Sequence, residues 1–237
     1  MNLDLLLDTF FEALVEGDRP RGRLLIEKTL QEGWSPEEVI VDVYWAVYER
    51  LENMFRADKL TRIQHRVATR LLRVLEDQTA ASLTIAGPGE NTPRREVLAL
   101  CGPSDADELG AQIAVDLMES NGLSVTFAGG GIPADEILGW VHQHRPNVLI
   151  MFASAPSDLP EIRSMIDHIR EISALPDLQI AVGGGVFNRA DDLAAEIGAD
   201  LWARDPLELV DELLAKPAQR ASADQRTVGR TRRAKAA

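Results

Sequence analysis

Three groups of residues in this 237-residue chain could carry chemistry. The first is a pair of carboxylates, Asp105 and Asp107, in the stretch CGPSDADELG that follows an apolar run. Two acids at that spacing could help hold a metal ion. They could equally serve a helix start, because Asp is a favoured cap and acids suit the positive helix end. Capping explains Asp107 more cheaply. The second is His65 in RIQHRVATRLL, a lone imidazole beside Gln64 and Arg66 that could ligate a transition metal or merely sit on a helix face. The third is a pair of glycine triplets, Gly129–Gly131 and Gly183–Gly185, each closing a short apolar run. Glycine there lets a ligand or a second backbone press close, or simply turns the chain.

Several catalytic patterns are absent from the sequence. Neither triplet continues into GK[ST] or fits GxGxxG, no paired His or Cys offers a zinc site, and no GxSxG elbow occurs. Cys101 is the single cysteine, so an intrachain disulfide is excluded and a reducing, cytoplasmic setting is expected.

The elements that must position these residues fall into two blocks. In the first, Leu3, Leu6, Leu7, Phe10, Phe11 and Leu14 recur at helical spacing over 3–16, and a second helix is expected over Arg21–Glu32. Ser35-Pro36-Glu37-Glu38 is a helix start that leads through Val39, Val43, Val47 and Leu51 towards Met54. A fourth helix begins near Thr61 or Ile63 and runs through Leu75. Four helices with short joints predict a bundle over residues 1–83.

Thr84–Arg95 is rich in Gly, Pro and Asn and has no periodicity, which marks a domain boundary. Beyond it strands and helices alternate. Strands are expected at Val97–Cys101, Ser124–Ala128, Val148–Phe152, Gln179–Val182 and Leu201–Ala203. The helices between and after them are Glu108–Asn121, Pro133–Gln143, Pro160–Ile172, Arg189–Ile197 and Pro206–Leu214. The fold class predicted for 96–215 is α/β, a five-stranded doubly wound parallel sheet of flavodoxin-like size. Ligands of such sheets sit outside the carboxyl ends of the strands, here at the Gly102–Asp107 loop.

The net charge of −13 is unevenly placed. From Lys216 onward seven basic residues face one acid, a surplus of +6 that leaves −19 on the rest of the chain. An acidic body disfavours nucleic acid and anionic membrane as partners. The basic tail, 216–237, is expected to be disordered. No run approaches the length of apolar residues needed to span a membrane.

A helical bundle followed by this α/β pattern resembles the cobalamin-binding module of methionine synthase, corrinoid methyl carriers and cobalamin-dependent photoreceptor repressors. Three stretches carry the resemblance: GAQIAVDLMESNGLSV (110–125), RPNVLIMF (145–152) and AVGGGVFNRADDLAAEIGADLWARD (181–205). The family's cobalt-ligating motif, D-x-H-x-x-G, falls on Asp105, Asp107 and Gly110, so the axial imidazole is replaced by a carboxylate. Its S-x-L element falls on Phe152, Ala153 and Ser154, with Phe152 where a serine holds the nucleotide tail. Its glycine turn is kept as Gly183, Gly184 and Gly185. In the helical cap, the family's W-x(10)-E-H segment falls on Met54, Gln64 and His65, of which the histidine alone matches. The resemblance therefore implies a corrinoid ligand, with His65 and Met54 at the positions that approach it from the cap and His65 as a candidate metal ligand.

Replacement of the axial imidazole points to a non-catalytic module that binds its corrinoid base-on, with the lower nucleotide base still on cobalt, and serves regulation or sensing through a protein partner or self-association. A methyl carrier for a methyltransferase and a module that has lost its cofactor remain as alternatives.

Overall fold

The computed structural model describes residues 2–86, 94–172, 175–190 and 192–221. The chain divides into two compact units, Met1–Ile85 and Ala86–Ala237.

The first unit is built from four helical segments. Helix α1 is Leu3–Glu16 and α2 is Arg19–Gln31. Helix α3 runs over 36–56 and contains a π-helical stretch, Val39–Trp45, between its α-helical ends. Helix α4 is Arg62–Ala80. Their starts are written in the sequence: Asn2 and Asp18 cap α1 and α2, while Ser35–Glu38 and Thr61–Gln64 close reciprocal capping boxes. The π stretch has a visible cause. Val39, Val43, Val47 and Leu51 are spaced by four throughout, and a regular α-helix would rotate such a row off its face. A wider turn keeps all four inside, each no more than 1% exposed. They pack with Phe10 and Tyr44, whose rings lie 5.8 Å apart, and the Tyr44 hydroxyl is 2.8 Å from Thr79 Oγ1.

The second unit is a five-stranded parallel sheet with order β2-β1-β3-β4-β5. The strands are β1 Glu96–Leu100, β2 Ser124–Gly129, β3 Val148–Phe152, β4 Gln179–Gly183 and β5 Leu201–Trp202. The helices are α5 Asp105–Ser120, α6 Ala134–His144, α7 Leu159–Ile172, the short α8 Gly185–Asn188 and α9 Leu193–Glu196, and α10 Pro206–Ala215. This is the doubly wound architecture expected. Helices α6 and α7 pack on one face, α5 and α10 on the other. Leu98, Leu100, Leu149, Met151, Ile180 and Val182 point toward the α6–α7 face, and their alternate neighbours point away from it.

Three boundaries differ from the sequence reading. Helix α5 starts at Asp105, not Glu108, because Ser104 is the cap. The helix expected over Arg189–Ile197 is reduced to Leu193–Glu196, with Asp192 left-handed (φ 59°) at its start, and is preceded by a separate short helix at Gly185–Asn188. The chain stays ordered past Lys216: Gln219 Nε2 donates to the Asp200 carbonyl at 2.9 Å, and Ala221 N to the Asp200 carboxylate at 2.7 Å. Residues 222–237 of the expected disordered tail, and 87–93 of the expected linker, lie outside the described residues. No helix among the described residues is long and apolar enough to cross a membrane.

Candidate functional site

The order β2-β1-β3 makes β1 the point from which successive connections leave in opposite directions, opening a crevice beyond the carboxyl ends of β1 and β3. Asp105, Asp107 and Gly110 follow β1. Ala153 and Ser154 follow β3, and Gly183–Gly185 end β4 and begin α8. The fold therefore gathers these eight residues at one edge of the sheet.

The β1–α5 turn is closed on itself. Asp107 N donates to Ser104 Oγ at 3.1 Å, while Ser104 Oγ and Ser104 N donate back to Asp107 Oδ2 at 2.6 and 3.3 Å. Asp107 is thus not the cap expected from its type but the reciprocal partner of the cap. Its carboxylate is buried beneath Gly102, where an added methyl group would meet Oδ2 at 2.6 Å. Asp105 lies exposed in the first helical turn and Gly110 is half-buried one turn on. A carboxylate held by its own turn is not aimed at a metal. Among the described residues, no group of three His, Cys, Asp or Glu side chains could hold one.

The glycine triplets serve the backbone first. A side chain on Gly130 would begin 2.3 Å from the Gly102 carbonyl oxygen, and one on Gly184, at φ 102°, 2.4 Å from the Ala153 carbonyl oxygen. Both approaches weld one loop of the edge to the next. Gly131 differs: an added side chain would meet nothing within 4 Å. That backbone is open to a ligand. Phe152 is in register with Gly183, and its ring lies 3.2 Å from where a Gly183 side chain would begin. Its side chain also borders a hollow between Gly102 and Met151. Ser154 is half-buried and its carbonyl accepts from Arg189 Nη2 at 2.6 Å.

On the α6–α7 side the edge is hollow. A cavity of about 360 Å³ runs down from Gly102, Gly129 and Gly131 onto Met151, Ile162 and Met165. The residues that form it come from five segments of the chain; sequence reasoning named the Gly102 loop, the Gly129–Gly131 triplet and Phe152 but missed the floor at Met151, Ile162 and Met165.

The other two candidates belong to the helical unit. His65 is buried, its Nε2 lies 2.5 Å from Glu52 Oε1, and its ring stacks on Phe55 at 4.1 Å and 13°. Arg56 reaches the same carboxylate through Oε2 at 3.5 Å. Met54, half-buried, lies on the same helix as both partners, and Gln64 is spent in the capping box with Thr61. The sequence reading did not foresee Glu52 and Phe55, although their i, i+3 spacing on α3 is legible once a partner is sought.

A helical unit followed by a parallel sheet with an open, glycine-lined carboxyl edge is the architecture of a ligand-binding α/β module. Residues 95–211 match the family model described as B12 binding domain, and residues 6–75 match a second model of the same description. The chain belongs to the B12-binding family, which assigns it cobalamin as cofactor. It is 24% identical over 129 residues to a methanol–corrinoid protein of Methanosarcina barkeri (strain Fusaro / DSM 804), an overlap of 52% of this chain and 48% of that protein. The match thus spans about half the length of that relative. In structure it is similar to the monomethylamine corrinoid protein of Methanosarcina barkeri, with a TM-score of 0.76, 15% identity, and coverage of 90% of this chain and 98% of the other. A cobalamin-binding protein of Desulfitobacterium hafniense DCB-2 aligns at a TM-score of 0.47 and 16% identity, over 88% and 97% of the two chains.

Asp107 is tied to Ser104, so the β1–α5 turn offers a self-paired carboxylate and no imidazole. Gly131 and the hollow beside it leave room for a ligand at the same edge.

Proposed function

We propose that the protein binds cobalamin base-on at the carboxyl edge of its sheet and acts as a non-catalytic, regulatory or sensory module. The observation that carries this reading is the Ser104–Asp107 capping box, which leaves a self-satisfied carboxylate where ligation by the protein would need a free imidazole. Gly110, Ala153, Ser154 and the Gly183–Gly185 turn border the ligand in this reading. His65, with Met54 beside it, serves the helical unit. The pairing of His65 with Glu52 orients its ring and occupies Nε2, which supports a positioning role over a metal-ligating one.

A corrinoid methyl carrier working with a methyltransferase partner is the second reading. It is favoured by the printed names of the similar proteins, methanol–corrinoid and monomethylamine corrinoid protein.

The two separate in one experiment. Protein labelled throughout with heavy nitrogen is reconstituted with unlabelled cob(II)alamin, and the nitrogen splitting of its paramagnetic resonance spectrum is recorded. The expected splitting is the triplet of the cofactor's own light nitrogen, unchanged by labelling the protein. A doublet would place a protein nitrogen on cobalt and overturn base-on binding. If no red chromophore co-elutes with the protein in any form, the module without cofactor takes its place.

A further inference from the structure

We propose that β2 is a pairing edge for a second copy of this chain, the two strands running antiparallel about a two-fold axis at Thr126. The pairing goes beyond the ligand reading and needs no cofactor.

The two outer strands of the sheet are treated differently. Strand β5 is two residues long, and the residues flanking it are tied down, Asp200 by Gln219 and Ala221 and the Arg204 carbonyl by Asn188. Strand β2 is six residues long, the longest of the sheet, and among the described residues no strand lies beyond it. Edge strands are ordinarily blunted by charge, proline or a bulge. Ser124-Val125-Thr126-Phe127-Ala128 has neither charge nor proline, and its register against β1 slips only after Phe127.

The ladder shows which backbone groups are left over. Ser124 N donates to the Arg95 carbonyl at 2.9 Å, so Ser124 turns its backbone toward β1. Thr126, two residues on and in register with Leu98, turns the same way. Backbone groups of a parallel strand alternate from side to side, so the N–H and C=O groups of Val125 and Phe127 line the outer edge.

That edge is complementary to itself. When Thr126 of one copy lies opposite Thr126 of the other, Val125 of each faces Phe127 of the other. Each Val–Phe pair exchanges two hydrogen bonds, four in all. The half-buried Val125 and Phe127 side chains then meet as aromatic and β-branched pairs on one face. The exposed Thr126, which shares the α6–α7 face with Leu98, meets its own kind on the other. An axis at Val125 or at Phe127 would lose both Val–Phe pairs. Charge points to the same strand. The chain carries −13, so copies brought together through most of its surface repel, whereas β2 adds no charge to the contact.

One strand per copy is a small contact, below the ~1,200 Å² of a standard interface, so a Kd on the order of 10 μM is expected. Sedimentation equilibrium of the full chain without corrinoid, from about 1 to 300 μM, measures it. Thr126→Lys and Thr126→Glu each set like charges face to face at the axis, and each is expected to raise Kd at least about tenfold. An equimolar mixture of the two variants sets opposite charges there and is expected to associate as the wild type does. Because Thr126 is exposed, neither variant should move the midpoint of unfolding. A wild-type chain that stays monomeric throughout, a dimer indifferent to both substitutions, or a mixture that does not recover association each overturns the proposal. Hydrogen exchange gives a second answer without any variant. The Val125 and Phe127 amides are expected to exchange more slowly at the top of that concentration range than at its foot, and equal exchange at both overturns the pairing. Neither failure bears on corrinoid binding.

Discussion

The two edges of the sheet are built to opposite rules. At the amino edge charged and amide side chains are buried and densely hydrogen-bonded. Asp200, 4% exposed, accepts from both Arg170 Nη2 (2.5 and 2.6 Å) and the backbone N–H groups of Ile180 and Ala221, each at 2.7 Å. Gln179, fully buried, accepts from Arg95 at 2.8 Å and donates to the carbonyls of Lys216 and Gln219. These contacts tie the first strand's approach, β4, β5 and residues 216–221 together. At the carboxyl edge the polar groups turn inward on their own loops, as Asp107 does on Ser104, and the space between loops is left apolar and partly empty. Residues that could have filled it are glycines. One edge holds the fold, and the other is kept available.

That contrast is broken most severely by removing Asp200. Its loss removes the carboxylate that Arg170 Nη2 and two backbone N–H groups share in a buried site, and losing one partner of a buried pair costs about 3–5 kcal/mol. Asp200→Ala is expected to lower the midpoint of chemical unfolding of the α/β unit accordingly, with Asp200→Asn intermediate. A loss below about 1 kcal/mol, the scale of an exposed pair, would mean the amino edge is no anchor. Within the carboxyl edge, Gly184→Ala and Gly131→Ala form a graded pair. Both force a left-handed residue, but only the first adds a methyl group 2.4 Å from a carbonyl oxygen. We expect about 2–3 kcal/mol for Gly184→Ala and about 1 kcal/mol for Gly131→Ala. Corrinoid retention should respond in the reverse order, since the open glycine is the one a ligand would meet.

Much of this was legible in the chain before its structure. Alternating strands and helices gave the doubly wound sheet, and Ser35-Pro36-Glu37-Glu38 gave a helix start that the structure repeats. What failed did so for local physical reasons. In Ser104-Asp105-Ala106-Asp107 three residues can each cap, and the choice among them is made by which hydroxyl reaches the third backbone N–H, a geometric fact that composition does not carry. Asp200 could be placed at the foot of a strand, but its partner Arg170 is thirty residues earlier on another helix. The floor of the cavity was invisible for the same reason. Leu100, Ile137, Met151 and Met165 each read as ordinary core residues, and only the space they fail to fill distinguishes them.

The smallest effect is the one that bears most directly on the site. Asp107→Ala removes the reciprocal half of a capping box and should cost about 1 kcal/mol, the usual worth of such a partner. Asp107→Asn, which keeps an acceptor for the Ser104 hydroxyl, should cost less. In neither variant should the lower nitrogen on cob(II)alamin change, because the carboxylate faces Ser104 and the underside of Gly102 rather than the ligand. A variant of Asp107 that altered the cobalt spectrum would show that the capping box opens when the corrinoid binds. The carboxyl edge would then be rearranged by its ligand rather than built ready for it, and its contrast with the rigid amino edge would be one of motion as well as of polarity.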